Sequence, residues 1–177
     1  MYSPAEDSYL LKKGLEKQLS KLKNKNIKIL DMGSGSGIQA KTCRVLDFKN
    51  IVCVDIDSET LKHLKKQKFK TTQSDLFSAF KKDLFDLIIF NPPYLPEHKF
   101  DKKPDTTGGK KGYETILKFL KQAKKHLTDK GEILLLFSSL SQPRVIKQHL
   151  KKLNYNYKLL AEKKLFFEKL YVYQITQ

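Results

Sequence analysis

"IKILDMGSGSGIQAKTCRVL", Ile27–Leu46, is the stretch whose reading decides the fold. Its first six residues, Ile27 to Met32, read as a short buried strand. Glycines follow at 33, 35 and 37, and the residues after them read as a helix, "SGIQAKTCRVLDF". A strand running through a glycine turn into a helix is half of a parallel β-α-β unit. The same alternation continues down the chain. "NIVCVDID" is a second strand, and "SETLKHLKKQ" is a helix with Ser58 placed as its N-cap. "KFKTTQSD" is a short third strand and "LFDLIIF" a fourth, apolar on both faces. "GYETILKFLKQAKKHL" is a long helix closed by the turn "TDKG"; "GEILLLFS" is a fifth strand, followed by the helix "QPRVIKQHLKKL". The tail from Tyr155 carries β-branched and aromatic residues in two runs, which suits an antiparallel pair of strands. Upstream, Leu10, Leu11, Leu15, Leu19 and Leu22 recur at helical spacing, with acidic residues first and lysines later. The expectation is one α/β domain over residues 1–177: a mostly parallel sheet, helices on both faces, and a C-terminal antiparallel hairpin. Residues 1–26 form a helical segment that covers the ligand site.

The chain of 177 residues is 40% hydrophobic and 31% charged, a balance that supports a globular core. No apolar run approaches the roughly 20 residues of a membrane span. The start, "MYSPAEDSYLLKK", does not read as a signal peptide, and Cys43 and Cys53 are too few for a disulfide framework or a thiolate metal site. A cytoplasmic protein is expected. The formal net charge is +16, from 35 Lys and Arg against 19 Asp and Glu. Such a surface favours RNA, DNA or the ribosome. The basic residues are nearly all lysines at spacings that also suit solvated helix faces.

In open sheets of this type ligands bind beyond the carboxyl ends of the strands. Four motifs fall at such ends. In "LDMGSGSG" the glycines at 33, 35 and 37 let backbone approach a ligand closely, but the spacing is neither the dinucleotide fingerprint nor a P-loop. Asp31 there would repel a phosphate and favour a cation. In "CVDID", Asp55 is placed to accept hydrogen bonds from ribose hydroxyls, with Ile56 beside it and Asp57 assigned to the next turn. In "QSDLF", Asp75 could accept from an adenine amine while Leu76 and Phe77 cover the base, although Ser-Asp is also ordinary helix-start chemistry. These contacts describe an adenosine with a positively charged, phosphate-free tail, and S-adenosylmethionine fits.

The fourth motif, "FNPPY", ends strand four. Asn91 can accept through its side-chain oxygen and Pro92 through its carbonyl, while Pro92 and Pro93 hold the turn rigid. Two fixed acceptors match the two N–H bonds of a planar –NH2 group, and Tyr94 can pack on the planar substrate. The –NH2 of an amide or nucleobase is a poor nucleophile, so orientation and polarisation are what it needs.

With these motifs the chain resembles the class I methyltransferases (Rossmann-like), whose seven-stranded sheet has its last strand antiparallel. Asn-Pro-Pro-Tyr is similar to the motif of enzymes that methylate adenine N6, guanine N2 and glutamine amides. The opening "YSPAEDSYLL", Tyr2 to Leu11, and the segment "GGKKGYE", Gly108 to Glu114, resemble the archaeal and eukaryotic HemK-like glutamine methyltransferases. That resemblance implies methyl transfer to a Gly-Gly-Gln glutamine of a class I translation release factor. It implies cofactor contacts from Ser8, Asp31, Gly33, Asp55, Asp75 and Leu76, a substrate contact from Asn91 close to the cofactor, and Glu6 and Asp7 near the cofactor's cationic end. Many relatives carry Glu at the position of Asp31, and a counterpart of the helical domain that precedes the bacterial enzymes is not expected here. Relatives pair with a small zinc-binding activator; the outer strand near Phe69 to Gln73 is its expected edge, with Lys68 and Lys70 as guards against aggregation. Methylation of an exocyclic amine in RNA or DNA is the alternative reading.

Overall fold

A computed structural model describes residues 3–97 and 107–177; Tyr2 of the opening motif lies outside the described residues. The chain folds as α1 (Glu6–Leu19), β1 (Ile29–Met32), α2 (Ile38–Val45), β2 (Ile51–Asp55), α3 (Ser58–Lys66), β3 (Lys70–Gln73), β4 (Phe85–Phe90), α4 (Glu114–Ala123), β5 (Leu127–Ser138), α5 (Pro143–Lys152), β6 (Asn156–Lys164) and β7 (Lys169–Thr176). The strands form one seven-stranded sheet in the order β3-β2-β1-β4-β5-β7-β6. The first five strands pair in parallel, and β7 joins antiparallel to both β5 and β6. β3 is an outer strand, as the resemblance implies.

Strand alternation sorts the core into two layers. Ile29 of β1 and Leu87 and Ile89 of β4 face a cluster that holds Leu11, Leu15 and Leu19 of α1, Cys43 of α2 and Leu64 of α3. Leu30 and Met32, with Ile88 and Phe90, face the opposite cluster, which holds Ile116, Phe119 and Leu120 of α4 and Ile146 and Leu150 of α5. Burying each such side chain stabilises by about 1.5–3 kcal/mol relative to exposure. The alternation also fixes the site. Asp31 shares the side of Ile29, so its carboxylate enters the layer under α2.

Two local expectations need correction. Ser58 is the first residue of α3, not its cap; Asp57 caps the helix, its carboxylate accepting from Glu59 N and Thr60 N at 3.1 Å each. A carboxylate with two oxygens satisfies two orphan amides that a single hydroxyl cannot. The segment "TDKG" is not a turn closing a helix. α4 ends at Ala123, Lys124–His126 form a 3-10 turn, and residues 128–131 already belong to β5 as a bulge. Phe85 pairs with Leu127 and Leu87 with Glu132, and Thr128 Oγ1 donates to Asp86 Oδ1 across the irregularity. Turn residues here swell a strand instead of ending one. Among the described residues no helix is long and apolar enough to cross a membrane.

Candidate active site

A cavity of about 540 Å³ opens at the carboxyl ends of β1, β2 and β4. That is within the range of small-ligand sites. Its wall holds Ser8, Asp31, Gly33, Gly35, Asp55, Ile56, Asp75, Leu76, Asn91, Pro92, Pro93 and Tyr94, which brings most of the predicted residues together. Phe77 does not cover a base: it is buried in the core, stacked on Phe119 and His126, and does not line the cavity. Gly37 is also absent from the wall. It caps α2 in the left-handed region at φ 75°, and a Cβ there would fall 2.5 Å from Leu64 Cδ2. Gly37 therefore serves the turn and the packing of α3, not the cavity wall.

The glycine loop and the tip of β2 are one unit. Gly35 N donates to Asp55 Oδ2 and Asp57 N donates to Asp55 Oδ1, each at 3.0 Å. These bonds fix the carboxylate while each oxygen keeps capacity for another donor. Val54 N donates to Ser34 Oγ, which in turn donates to the Asp31 carbonyl, so the ends of β1 and β2 are stapled together.

Deeper in, Asp31 is buried and accepts from Ala40 N at 3.2 Å. Burial pushes its carboxyl up to about 8; the Ala40 bond opposes this, and the negative charge of Asp55 adds to it. Beside it, buried Gln39 donates through Nε2 to the Ser8 carbonyl at 2.9 Å, while its Oε1 has no hydrogen-bond partner among the described residues. A buried carboxylate and an orphan amide oxygen are a receptor for a cation.

Asn91 lies just past β4. Its Nδ2 donates to Asp7 Oδ2 at 2.9 Å. A carboxylate only accepts, so the amide's NH2 faces Asp7 and its oxygen faces away. That Oδ1 is buried and has no partner among the described residues. Asp7 is itself held by the first turn of α1, where Ser8 N donates to its Oδ1 at 2.6 Å. Half-buried Tyr94 packs on both core clusters, and its carbonyl accepts from Ser141 Oγ at 2.9 Å. The glycine-rich segment at 108–112 braces the same turn. Gly108 N donates to the Leu95 carbonyl at 2.9 Å, and a Cβ on Gly108 would lie 2.5 Å from the Pro93 oxygen.

Asp75 and Leu76 follow β3 at the cavity's outer rim. Asp75 is exposed and accepts from Lys118 Nζ at 2.8 Å, while Leu76 is buried with φ at 50°. Of the two acidic residues at the start of α1, only Asp7 reaches the cavity; Glu6 is exposed and pairs with Lys163. Gln39 and Thr115, both on the wall, escaped the sequence reading. Gln39 carried a signal: it is a polar residue on the α2 face that also presents Ala40 and Cys43.

The model of one family, the methyltransferase small domain, matches residues 8–167. The chain belongs to that family. Relatives of this methyltransferase include a Methanocaldococcus jannaschii protein named "Putative protein N5-glutamine methyltransferase", 36% identical over 97% of this chain and 89% of its own length. The release factor glutamine methyltransferase of Clostridium botulinum is 33% identical over 73% of this chain but only 53% of its own length. The chain thus spans nearly the whole archaeal relative and about half of the bacterial one. In fold it is similar to the E. cuniculi Mtq2-Trm112 complex responsible for methylation of the eRF1 termination factor, with TM-score 0.81, 23% identity, and coverage of 99% of this chain and 98% of that one. Seven strands with an antiparallel C-terminal hairpin are the class I methyltransferase fold.

Proposed function

We propose that this methyltransferase transfers a methyl group from S-adenosylmethionine to the side-chain amide nitrogen of a glutamine, in the Gly-Gly-Gln loop of a class I release factor. The observation that carries the reading is the buried Asn91 oxygen, oriented by Asp7 and without a partner of its own among the described residues. The names of the M. jannaschii and C. botulinum relatives support a glutamine acceptor.

The cavity suits the donor. Asp55 would hold the ribose hydroxyls, Ile56 and Leu76 would cover the base with Asp75 at its amine, and Asp31 and the Gln39 oxygen would take the ammonium group. When bound, the donor supplies a methyl on a positively charged sulfur, which keeps the bonding pair as the methyl leaves. The protein's own work lies on the acceptor side. Asn91 Oδ1 accepts an N–H of the incoming amide, turns the nitrogen lone pair toward the methyl, and favours positive charge developing on nitrogen. Tyr94 and the two prolines wall the planar group. No general base is needed before attack, because the proton can leave afterwards.

The second part of the reading is a partner. β3 pairs with β2 on one side only, which leaves its outer backbone edge open to an added strand. A small activator adding a strand there would pair that edge, and any zinc would belong to the activator. The competing nucleobase reading draws on the +16 charge and on Lys118, Lys121 and Lys125 around a shallow groove beside Asp75. Incubation of the purified chain, with and without the activator, with donor and either release factor or RNA separates the two. Label in the factor is expected; label in RNA alone would overturn the proposal.

A further inference from the structure

The β6–β7 hairpin ends in the turn Leu165–Glu168, closed by Leu165 N donating to the Glu168 carbonyl at 2.8 Å. Its two corner residues are Phe166 and Phe167, 92% and 85% exposed, with rings edge to face at 4.6 Å. A tight hairpin turn calls for Gly, Asn or Asp, and folding gains nothing from two phenyl rings in water. Adjacent exposed aromatics are a mark of an interaction surface.

The register fixes where this tip lies. Ser138 at the end of β5 pairs with Leu170, and Lys164 pairs with Lys169. The tip therefore stands on the carboxyl-end edge of the sheet, the edge that opens into the cavity. It is tied down on two sides. Lys163 pairs with Glu6, next to the Asp7 that holds Asn91. Lys169 N donates to Ser139 Oγ at 3.0 Å, in the turn whose Ser141 holds the Tyr94 carbonyl. At about 540 Å³ the cavity has the size of a small-ligand site, so recognition of a macromolecule must draw on surface outside it.

The chemistry of the tip selects the class of partner. Lys163, Lys164 and Lys169 are matched by Glu6, Glu162 and Glu168, with Lys163–Glu6 and Lys169–Glu162 in direct contact. In a chain of net charge +16 this tip is neutral by count, with two exposed phenyl rings at its end. It is matched to an apolar pocket on a protein, where a phosphate backbone would demand unpaired cations. We infer that Phe166 and Phe167 dock the protein that carries the acceptor glutamine, steering its loop to Asn91. The inference rests on the glutamine reading above.

The test compares wild type with Phe166→Ser/Phe167→Ser, each with and without the activator, on two substrates: the whole factor and a short peptide containing its Gly-Gly-Gln sequence. The variant should keep its peptide kcat/KM and lose at least about ten-fold in kcat/KM for the whole factor, the scale of an interface hot spot. Equal losses on both substrates would overturn the inference and assign the rings to the fold. An unchanged whole-factor rate would overturn it too, as would a wild-type dimer dissolved by the substitutions or RNA binding lost with them. A wild-type protein that leaves the factor unmodified, in either condition, fails the glutamine reading itself, and the docking proposal with it.

Discussion

Asp7 and Asn91 are 84 residues apart in sequence and 2.9 Å apart in the fold. The bond joins the first turn of α1 to the end of β4. The leucines of that helix build the core, and its Asp7 orients the Asn91 amide on the cavity wall. Asp7→Ala and Asn91→Ala should each lower kcat on the order of a hundred-fold, as losing one oriented polar group does. Because the two act as a unit, the double variant should lose little more than either single one. Multiplicative losses in steady-state rates would show that they act independently.

If Asp31 takes the cofactor's ammonium group as proposed, cofactor binding depends on pH. Burial pushes the Asp31 carboxyl up to about 8, far above an exposed aspartate, so in the free protein the protonated form prevails at pH 7. A bound cation favours the ionised form. S-adenosylmethionine affinity should therefore rise as pH increases from 6 toward 8, by up to about ten-fold per pH unit. Isothermal titration checks this, and Asp31→Asn should flatten the slope. The sign for stability is opposite. Between about 4 and 8 the folded state of the free protein holds a proton that the unfolded chain has lost, so this group's contribution falls as pH rises through that window. Thermal melts of Asp31→Asn should lose that component of the pH dependence.

Gly108→Ala places a methyl 2.5 Å from the Pro93 oxygen and 2.7 Å from the Gly112 oxygen, both backbone atoms. The Asn-Pro-Pro-Tyr turn or the glycine segment must then move. Misplacement of about 1 Å in a reacting group can cost on the order of a hundred-fold in rate. Turnover should fall while cofactor affinity, which the proposal assigns to Asp55 and the loop at 33–35, stays near wild type. Titration and steady-state rates on one preparation decide the matter.

At the sheet edge, Thr71→Pro removes a backbone N–H and should weaken activator capture at least about ten-fold in pull-down, with cofactor affinity unchanged. Undiminished capture would place the activator elsewhere.

Much of the fold was legible because it rests on local chemistry. The runs at β1, β2, β4 and β5 are apolar on both faces, as buried parallel strands must be. Residues at strand tips were legible for the same reason: once Met32, Asp55 and Phe90 end adjacent parallel strands, the motifs there converge. Other features depend on contacts that no local pattern encodes. The Asp7–Asn91 bond needs α1 to cross the sheet. The orphan oxygen of Gln39 needs the Ser8 carbonyl to claim its NH2 group. The bulge at 128–131 reads as a turn because its residues are turn residues, and only pairing with β4 on either side makes it strand. Asp57 and Ser58 are both good caps in sequence, and the second carboxylate oxygen decides between them.

The proposed function turns on whether the oriented Asn91 oxygen receives a glutamine amide. The most direct measurement is tandem mass spectrometry of the release factor's Gly-Gly-Gln peptide after incubation with S-adenosylmethionine and either wild type or Asn91→Ala, each with and without the proposed activator. The expected result is one methyl group on the glutamine side chain with wild type, and at most about a hundredth of that rate with the variant. A methyl on another residue, or equal methylation by Asn91→Ala, would contradict the claim.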